Sequence, residues 1–536
     1  MLTSISSVEN NVSMPGGLIH DGLVRAARDD GRRSAVRAGD DQWSFADLDR
    51  KANAFARHLT ERGVGAGDRV AVMTTNRFEF IVAVEAVSKV GAASVLISPA
   101  WKAAEVGAAA DLTTPCHAVT DAGATAIFRD RLGADAVTGL DGEAVVDADS
   151  SRDSEAVTPP STVTVDDEAI LVFSSGTTGL PKAVRHTHRS IGRGTAHWVS
   201  ALGLGPEDRF QIATPPSHIL GLLNLLAAIE AGASVRLHAR FDLDEVLRRI
   251  ESDRITLEMA VAPIALAIAG HPRLEDFDLS SLRYIMWGAT PVTESVAATV
   301  TARTGVRWLP AYGASELPVI ACNPVGEPDR WRLDSAGLPA DEVELRVVDL
   351  DTGAVLTPGE IGEIQAKSPS LMAGYLPEEA TADAIVDGWY RTGDVGFLEP
   401  DGWVHLTDRA KEMIKVNGFQ VAPAEVEAVL HGHPAVIDCA VFGIPDPRAG
   451  EVPVAAVQID PTSPTTPAEL TDLVAASLAT YKHLRHVVVV DSVPRLPSGK
   501  VLRRTLRDEW APRLEPDATA SRPDRAVNGA SEGATT

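Results

Sequence analysis

Apolar positions along the chain switch repeatedly between helical and strand periods. From Ser44 to Gly63 (SFADLDRKANAFARHLTERG), Leu48, Ala52, Phe55, Ala56 and Leu59 share one helical face. Ser44 and Asp47 have the spacing of a capping box, and Gly63 suits a C-terminal stop. A strand is predicted over 69–73 (RVAVM), a helix over 78–89 and a second apolar strand over 93–97, ahead of Pro99. Strand, helix and strand at this spacing form a βαβ signature, and the alternation returns over 117–148. Residues 149–166 are polar with two prolines and read as a surface linker. Ala169–Val172 is a short buried strand running into a loop.

The α/β pattern continues over 187–350. A mostly apolar helix is predicted over 218–232, with Gly232 as its cap, and a strand over 234–238. A helix over 241–253 turns Phe241, Val246, Leu247 and Ile250 inward. The run 259–270 is 12 residues long and contains Pro263, so it is too short to span a bilayer and reads as core. Strands over 345–350 and 362–366 suggest a more β-rich section. A compact α+β unit follows from about residue 409: a helix over 424–430 with Pro423 in its first turn, strands over 439–442 and 455–459, a helix over 467–478 and a strand over 487–490. Residues 511–536 have the composition of a disordered tail.

A chain of 536 residues is too long for one core and divides into several domains. Its net charge of −25 disfavours nucleic acid and anionic membrane surfaces as partners. An anionic ligand therefore needs local cations. Only nine of the 49 basic residues are lysine: 51, 89, 102, 182, 367, 411, 415, 482 and 500. A chain that uses arginine by default draws attention to those positions. Three separated cysteines without a CxxC pattern suggest a reducing compartment and no disulfide framework. The N-terminal stretch lacks the basic and apolar regions of a signal peptide, so a cytoplasmic location is expected.

The most chemically pointed stretch is FSSGTTGLPKAV, over 173–184. Its glycines let backbone N–H groups face a ligand, its hydroxyls add donors, and Lys182 adds a cation, which suits a polyphosphate. It is not a Walker A loop, because Lys182 follows Gly179-Leu180-Pro181. Gly499-Lys500 fails the same test, with Pro494 at the first glycine position and Val501 after the lysine.

The loop resembles the phosphate-binding signature of the adenylate-forming superfamily, which comprises acyl-CoA synthetases, peptide-synthetase adenylation domains and firefly-type luciferases. The likeness is strongest to acyl-CoA ligases of the fatty-acid and 4-coumarate type. It continues in order over roughly 44–507, through DLSSLRYIMWGATPV (278–292), AYGASE (311–316), WYRTGD (389–394), DRAKEMIKVNGFQ (408–420) and PRLPSGKVLR (494–503). Taken singly, Lys500 reads as a solvated lysine, Tyr312 as a core aromatic and Asp394 as a turn acid. The order of six motifs carries the assignment.

The resemblance implies an α/β fold. A large N-terminal domain (1–408) would hold two α/β sheet layers and a β-rich subdomain, and a small mobile α+β C-terminal domain (409–510) would carry the catalytic lysine. The implied reaction joins a carboxylate to the α-phosphorus of MgATP, then lets a thiol displace AMP. That first step brings two anions together and depends on positioning and charge neutralisation. By resemblance, Ser174, Ser175, Gly176, Thr177, Thr178, Gly179 and Lys182 would hold phosphates, and Glu316 would hold Mg²⁺. Ser315 stands where the family usually has threonine. Gly288, Ala289 and Thr290 would follow the adenine edge, Tyr312 would stack on it beside Gly313, and Asp394 with Arg409 would meet the ribose. Lys500 would stabilise charge at the α-phosphate. Lys411 would be the hinge and Lys415 a catalytic residue beside it. Gly418 would flank the pantetheine arm of coenzyme A, and Arg240 its phosphates.

The sequence also departs from the pattern. Ser217 replaces an aromatic before His218, which would gate the acyl pocket. Trp287 and Ala311 would line the acyl pocket, adding bulk near the acyl channel or the nucleotide where smaller residues are common, and Asn417 replaces a lysine of some plant relatives. No acidic partner for an amino-acid ammonium is evident near His218, so the expected substrate is a hydrophobic carboxylic acid. The leading expectation is an acyl-CoA ligase of fatty-acid or secondary metabolism using ATP, Mg²⁺ and coenzyme A. Two alternatives keep one half-reaction: acyl-AMP formation for a carrier protein in trans, or transfer of a preformed acyl-AMP to coenzyme A. A non-enzymatic acyl sensor is the third.

Overall fold

A computed structural model describes residues 17–140, 156–174, 182–288, 294–417, 419–495 and 499–514. The described chain forms two compact units that divide between Lys411 and Glu412, with Gly499 and Lys500 grouped with the larger. Among the described residues, no helix is long and apolar enough to cross a membrane.

The larger unit is built on three sheets. The nine-stranded sheet has a parallel centre, in which Ser34–Ala38, Ser234–Leu237, Arg209–Ile212, Leu257–Ala260, Tyr284–Trp287 and Trp308–Tyr312 lie side by side. Antiparallel pieces at both edges extend it. The seven-stranded sheet places Arg69–Met73, Ala93–Leu96 and His117–Thr120 in parallel beside Glu168–Ser174. Lys182–Thr187 and Gly374–Leu376 then join it antiparallel. The five-stranded sheet is antiparallel and contains Glu344–Val348, Gly362–Lys367, Trp389–Leu398 and Val404–Arg409. The expected two α/β layers and β-rich section are all present.

Local signals account for most of these elements. The helix Phe45–Glu61 starts at Ser44 with the full reciprocal capping box to Asp47. Strand Arg69–Met73 and helix Phe78–Lys89 have the expected bounds. The apolar run from 259 splits at Val261: Leu257–Ala260 ends as a strand, and Ala262–Ala269 follows as a helix with proline in its first turn. The alternation expected over 117–148 appears as strand, helix Ala122–Leu132 and strand Val137–Gly139. Residues 141–148 of that alternation and 149–155 of the expected linker lie outside the described residues.

One inward assignment is corrected. Phe241 is not a core residue; it is 42% exposed. The helix begins only at Leu243, because Asp242 takes the N-cap and its side chain accepts the Glu245 N–H. Val246, Leu247 and Ile250 are buried as expected.

The smaller unit pairs Val436–Asp446 with Gly450–Ile459, and His486–Val489 runs parallel to the latter. Helices Pro423–His431 and Pro467–Ser477 pack on it, and a further helix spans Arg503–Leu514, beyond residue 510. Strands Ile414–Val416 and Phe419–Val421 pair antiparallel. Asn417, just past the first of them, has φ of +50°. Asparagine tolerates that left-handed backbone, which explains its place here.

Candidate active site

Each of the three sheets sends side chains to one place in the larger unit. Tyr312 closes strand Trp308–Tyr312 of the nine-stranded sheet, and the turn after it carries Gly313, Ser315 and Glu316. A Cβ on Gly313 would lie 2.0 Å from the Pro318 carbonyl oxygen, so the tight turn requires glycine. Asp394 comes from the five-stranded sheet, where strand register places it opposite Arg409. Lys182 opens its strand in the seven-stranded sheet, opposite Ser174. Strand Gly374–Leu376 pairs with the same strand and adds Tyr375.

These side chains are tied to one another. The Tyr312 hydroxyl donates to Asp394 Oδ2 at 2.6 Å. Arg409 Nε meets the other oxygen, Oδ1, at 2.9 Å. The Tyr375 hydroxyl donates to Glu316 Oε1 at 2.7 Å. Lys182 Nζ sits 5.4 Å from the centre of the Tyr375 ring. His186 Nε2 contacts the Ser315 carbonyl oxygen at 2.8 Å, and Met372 N–H donates to the Glu316 carbonyl at 2.8 Å, so the turn is held from both sides.

Burial raises the Asp394 carboxyl above the ordinary aspartate range, while Arg409, Tyr312 and Lys500 pull it back down. Burial raises the Tyr312 and Tyr375 hydroxyls well above their ordinary range, with Asp394 and Glu316 adding to it, so both act as neutral donors.

The chemistry of the donor set fits one hard cation shared with phosphates. Glu316 offers a carboxylate with one oxygen already oriented. Among the described residues, no group of three or more His, Cys, Asp and Glu could hold a metal. A magnesium ion there would take its remaining ligands from phosphate and water, as this ion commonly does.

Family comparison agrees with the geometry. Residues 23–376 match the AMP-binding enzyme family, and 425–500 match the AMP-binding enzyme C-terminal domain. The chain belongs to the AMP-binding enzyme family. Within it, 4-coumarate–CoA ligase 2 of Oryza sativa subsp. japonica is 36% identical over 509 residues, covering 88% of each chain. The amide bond synthetase McbA of Marinactinospora thermotolerans superposes with a TM-score of 0.83 at 30% identity, covering 91% of this chain and 99% of that one. ATP-bound MatB of Rhodopseudomonas palustris gives a TM-score of 0.82 at 27% identity, covering 92% and 99%. The chain is thus an adenylate-forming enzyme of the AMP-forming acid–thiol ligase class, and the family implies ATP or AMP and coenzyme A as its nucleotide ligands.

The other residues singled out from this AMP-binding enzyme's sequence are placed as follows. His218 is the N-cap residue of helix Ile219–Glu230, half-buried, with burial lowering its imidazole pKa. Ala311 lies one residue before Tyr312, on the same strand. Gly288 is buried just beyond strand Tyr284–Trp287. Arg240 is exposed. Lys411 is the last residue before the unit boundary, and Lys415 is exposed in the smaller unit, its N–H donating to Glu451. Ser175, Gly176, Thr177, Thr178, Gly179, Ala289, Thr290 and Gly418 lie outside the described residues.

Trp287 is placed differently from its expected position at an acyl channel. Its ring is 1% exposed and packs 5.0 Å from that of Trp308, in a core shared with Ile264, Ile268 and Val300. Strand alternation turns it to that face together with Ile285.

Tyr375 and His186 went unrecognised in the sequence. One signal was available for the first. The chain has only five tyrosines, and Tyr312, Tyr375 and Tyr390 all come together around Glu316 and Asp394.

Proposed function

We propose that this chain is an acyl-CoA ligase that activates a hydrophobic carboxylic acid as its acyl-AMP and transfers the acyl group to coenzyme A. The observation that carries it is the paired clamp, Tyr375–Glu316 and Tyr312–Asp394–Arg409, set on three sheets within one unit. In this reading Asp394 accepts the ribose hydroxyls with its remaining lone pairs, since each of its oxygens is already held in place. The Tyr312 ring forms one wall for adenine. Lys182 and the loop after Ser174 take the outer phosphates, and Ser315 bonds the α-phosphate. Glu316 would hold Mg²⁺, which supplies charge neutralisation when bound. Lys500 stabilises the negative charge that develops as the acid's carboxylate oxygen reaches the α-phosphorus and pyrophosphate leaves. His218 borders the acid, and Lys411 is the hinge that separates the two half-reactions. Lys415 and Gly418 are assigned to the thiol step, and Arg240 to the coenzyme A phosphates. The three cysteines are free, in keeping with a reducing, cytoplasmic setting.

The curated 4-coumarate–CoA ligases make aryl-acrylic acids the first to try. The test incubates the protein with ATP, Mg²⁺, coenzyme A and a panel of aromatic and aliphatic acids. AMP, pyrophosphate and an acyl-CoA are expected in equal amounts, and no AMP with any acid overturns the proposal.

A second reading changes the acceptor. The likeness to an amide bond synthetase, together with Ser217 and Ala311 at altered positions, favours testing amines and carrier-protein thiols beside coenzyme A. Acid-dependent pyrophosphate exchange without acyl-CoA formation would select it. Acyl-CoA made from synthetic acyl-AMP, without exchange, would instead select transfer alone.

A further inference from the structure

The geometry points to Asn76 as a positioning residue for the segment that carries His218. This rests on the reading above, in which His218 borders the acid. Asn76 follows strand Arg69–Met73 of the seven-stranded sheet and is buried. Its side-chain amide reaches into the other sheet. Nδ2 donates to the Thr214 carbonyl at 3.2 Å and to the His238 carbonyl at 3.0 Å.

Both carbonyls lie just past the C-terminal ends of neighbouring parallel strands, Arg209–Ile212 and Ser234–Leu237. Carbonyls at such ends have left the ladder and need a donor from elsewhere. One amide group supplies both, so Asn76 fastens two strand ends to each other and to the second sheet.

The fastening reaches His218 through a short, stiff path. Thr214 is followed by Pro215 and Pro216, which fix their own φ angles. The His218 N–H donates back to the Pro215 carbonyl at 3.1 Å. A Cβ on Gly221 would come within 2.2 Å of the Pro215 carbonyl oxygen, so the first turn of the next helix rests directly on this segment. A displacement at Thr214 therefore carries over to the His218 ring.

The second anchor is itself held. His238 Nε2 contacts Gln211 Oε1 at 2.9 Å, and Gln211 Nε2 donates to Glu258 Oε2 at 2.6 Å and to the Val246 carbonyl at 3.3 Å. Glu258 lies fully buried in the next strand of the sheet. This polar file runs across neighbouring strands and ends on the imidazole of His238, the residue whose carbonyl Asn76 holds. Asn76 Oδ1, Thr214 Oγ1 and Ser217 Oγ are buried without a hydrogen-bond partner.

The test compares Asn76→Ala and Asn76→Asp. Aspartate matches asparagine in shape but faces both carbonyls with an acceptor instead of a donor. A packing role tolerates it, and a donor role does not. Both variants should raise KM for the acid on the order of tenfold, with aspartate at least as impaired as alanine. KM for ATP should move little, while the melting temperature should fall in both variants and further in the aspartate one, whose carboxyl is buried facing two carbonyls. Hydrogen exchange of residues 213–222 should quicken in both variants, while that of strand Tyr284–Trp287 stays unchanged. An Asn76→Asp protein with wild-type acid KM and wild-type exchange overturns the assignment. So does a loss of equal size in KM for ATP and KM for the acid. If wild-type protein releases AMP with no acid, the functional reading falls instead, and the exchange measurement still decides the role of Asn76.

Discussion

Tyr375→Phe isolates one hydroxyl. That hydroxyl donates to Glu316 Oε1 at 2.7 Å, and both residues are 8% exposed. A hydrogen bond to a charged group in such surroundings is worth about 1.5–3 kcal/mol, because the lone pair left behind finds no water. At 1.4 kcal/mol per factor of ten, the loss corresponds to roughly 10- to 140-fold. Phenylalanine keeps the ring beneath Lys182, whose ammonium lies 5.4 Å from its centre, so the phosphate side of the site is left alone. The loss should appear in kcat/KM for MgATP, measured by acid-dependent pyrophosphate exchange across a Mg²⁺ titration, with partial recovery at high Mg²⁺. Thioester formation from synthetic acyl-AMP should remain near wild type. Tyr375→Leu removes the ring as well and should be worse than the phenylalanine variant. A Tyr375→Phe enzyme with unchanged kcat/KM at every Mg²⁺ concentration would refute the idea that this bond orients Glu316 for the metal.

Four further outcomes are expected. Lys500→Ala should slow pyrophosphate exchange by on the order of 100-fold or more while leaving thioesterification of synthetic acyl-AMP intact; equal loss of both steps would count against its assigned role. Gly313→Ala should lower the melting temperature and abolish exchange, since its Cβ would press on the Pro318 carbonyl oxygen at 2.0 Å. Gly288→Ala meets nothing nearer than 3.4 Å, so it should melt like wild type and raise KM for ATP if adenine passes there. Burial pushes the Glu258 carboxyl from 4.5 up to about 8. The folded form therefore holds a proton that the unfolded chain loses, and stability falls as pH rises from about 4.5 to about 8. At 1.36 kcal/mol per pH unit this amounts to a few kcal/mol at most. Glu258→Gln cannot ionise, so its urea midpoint should gain on wild type between pH 5 and 8; a difference that stays constant with pH would show that Glu258 is not protonated in the fold.

The motifs were legible because each is a local solution to a local need. The Ser44–Asp47 capping box, the βαβ alternation and the strand before the phosphate loop follow from side chains within a few residues of one another. Lysine scarcity drew attention to nine positions, and the motif resemblance picked out Lys182, Lys411, Lys415 and Lys500 among them. Phe241 was misjudged because helical spacing alone does not say where a helix starts. Asp242 competes for the N-cap and leaves the ring outside. Trp287 was misjudged because it adjoins the segment expected along the adenine, while strand alternation turns its own ring toward Trp308.

By itself the sequence determined the family and the order of the elements, and it nominated the groups expected to touch a nucleotide. Only the tertiary structure decided what holds those groups still. Tyr375 meets Glu316 across 59 residues of chain, Tyr312 meets Asp394 across 82, and Asn76 meets Thr214 across 138. No period or spacing encodes such pairs. They arise where the ends of separate sheets meet, and where buried carbonyls and carboxylates must find a donor at whatever distance along the chain the fold supplies one.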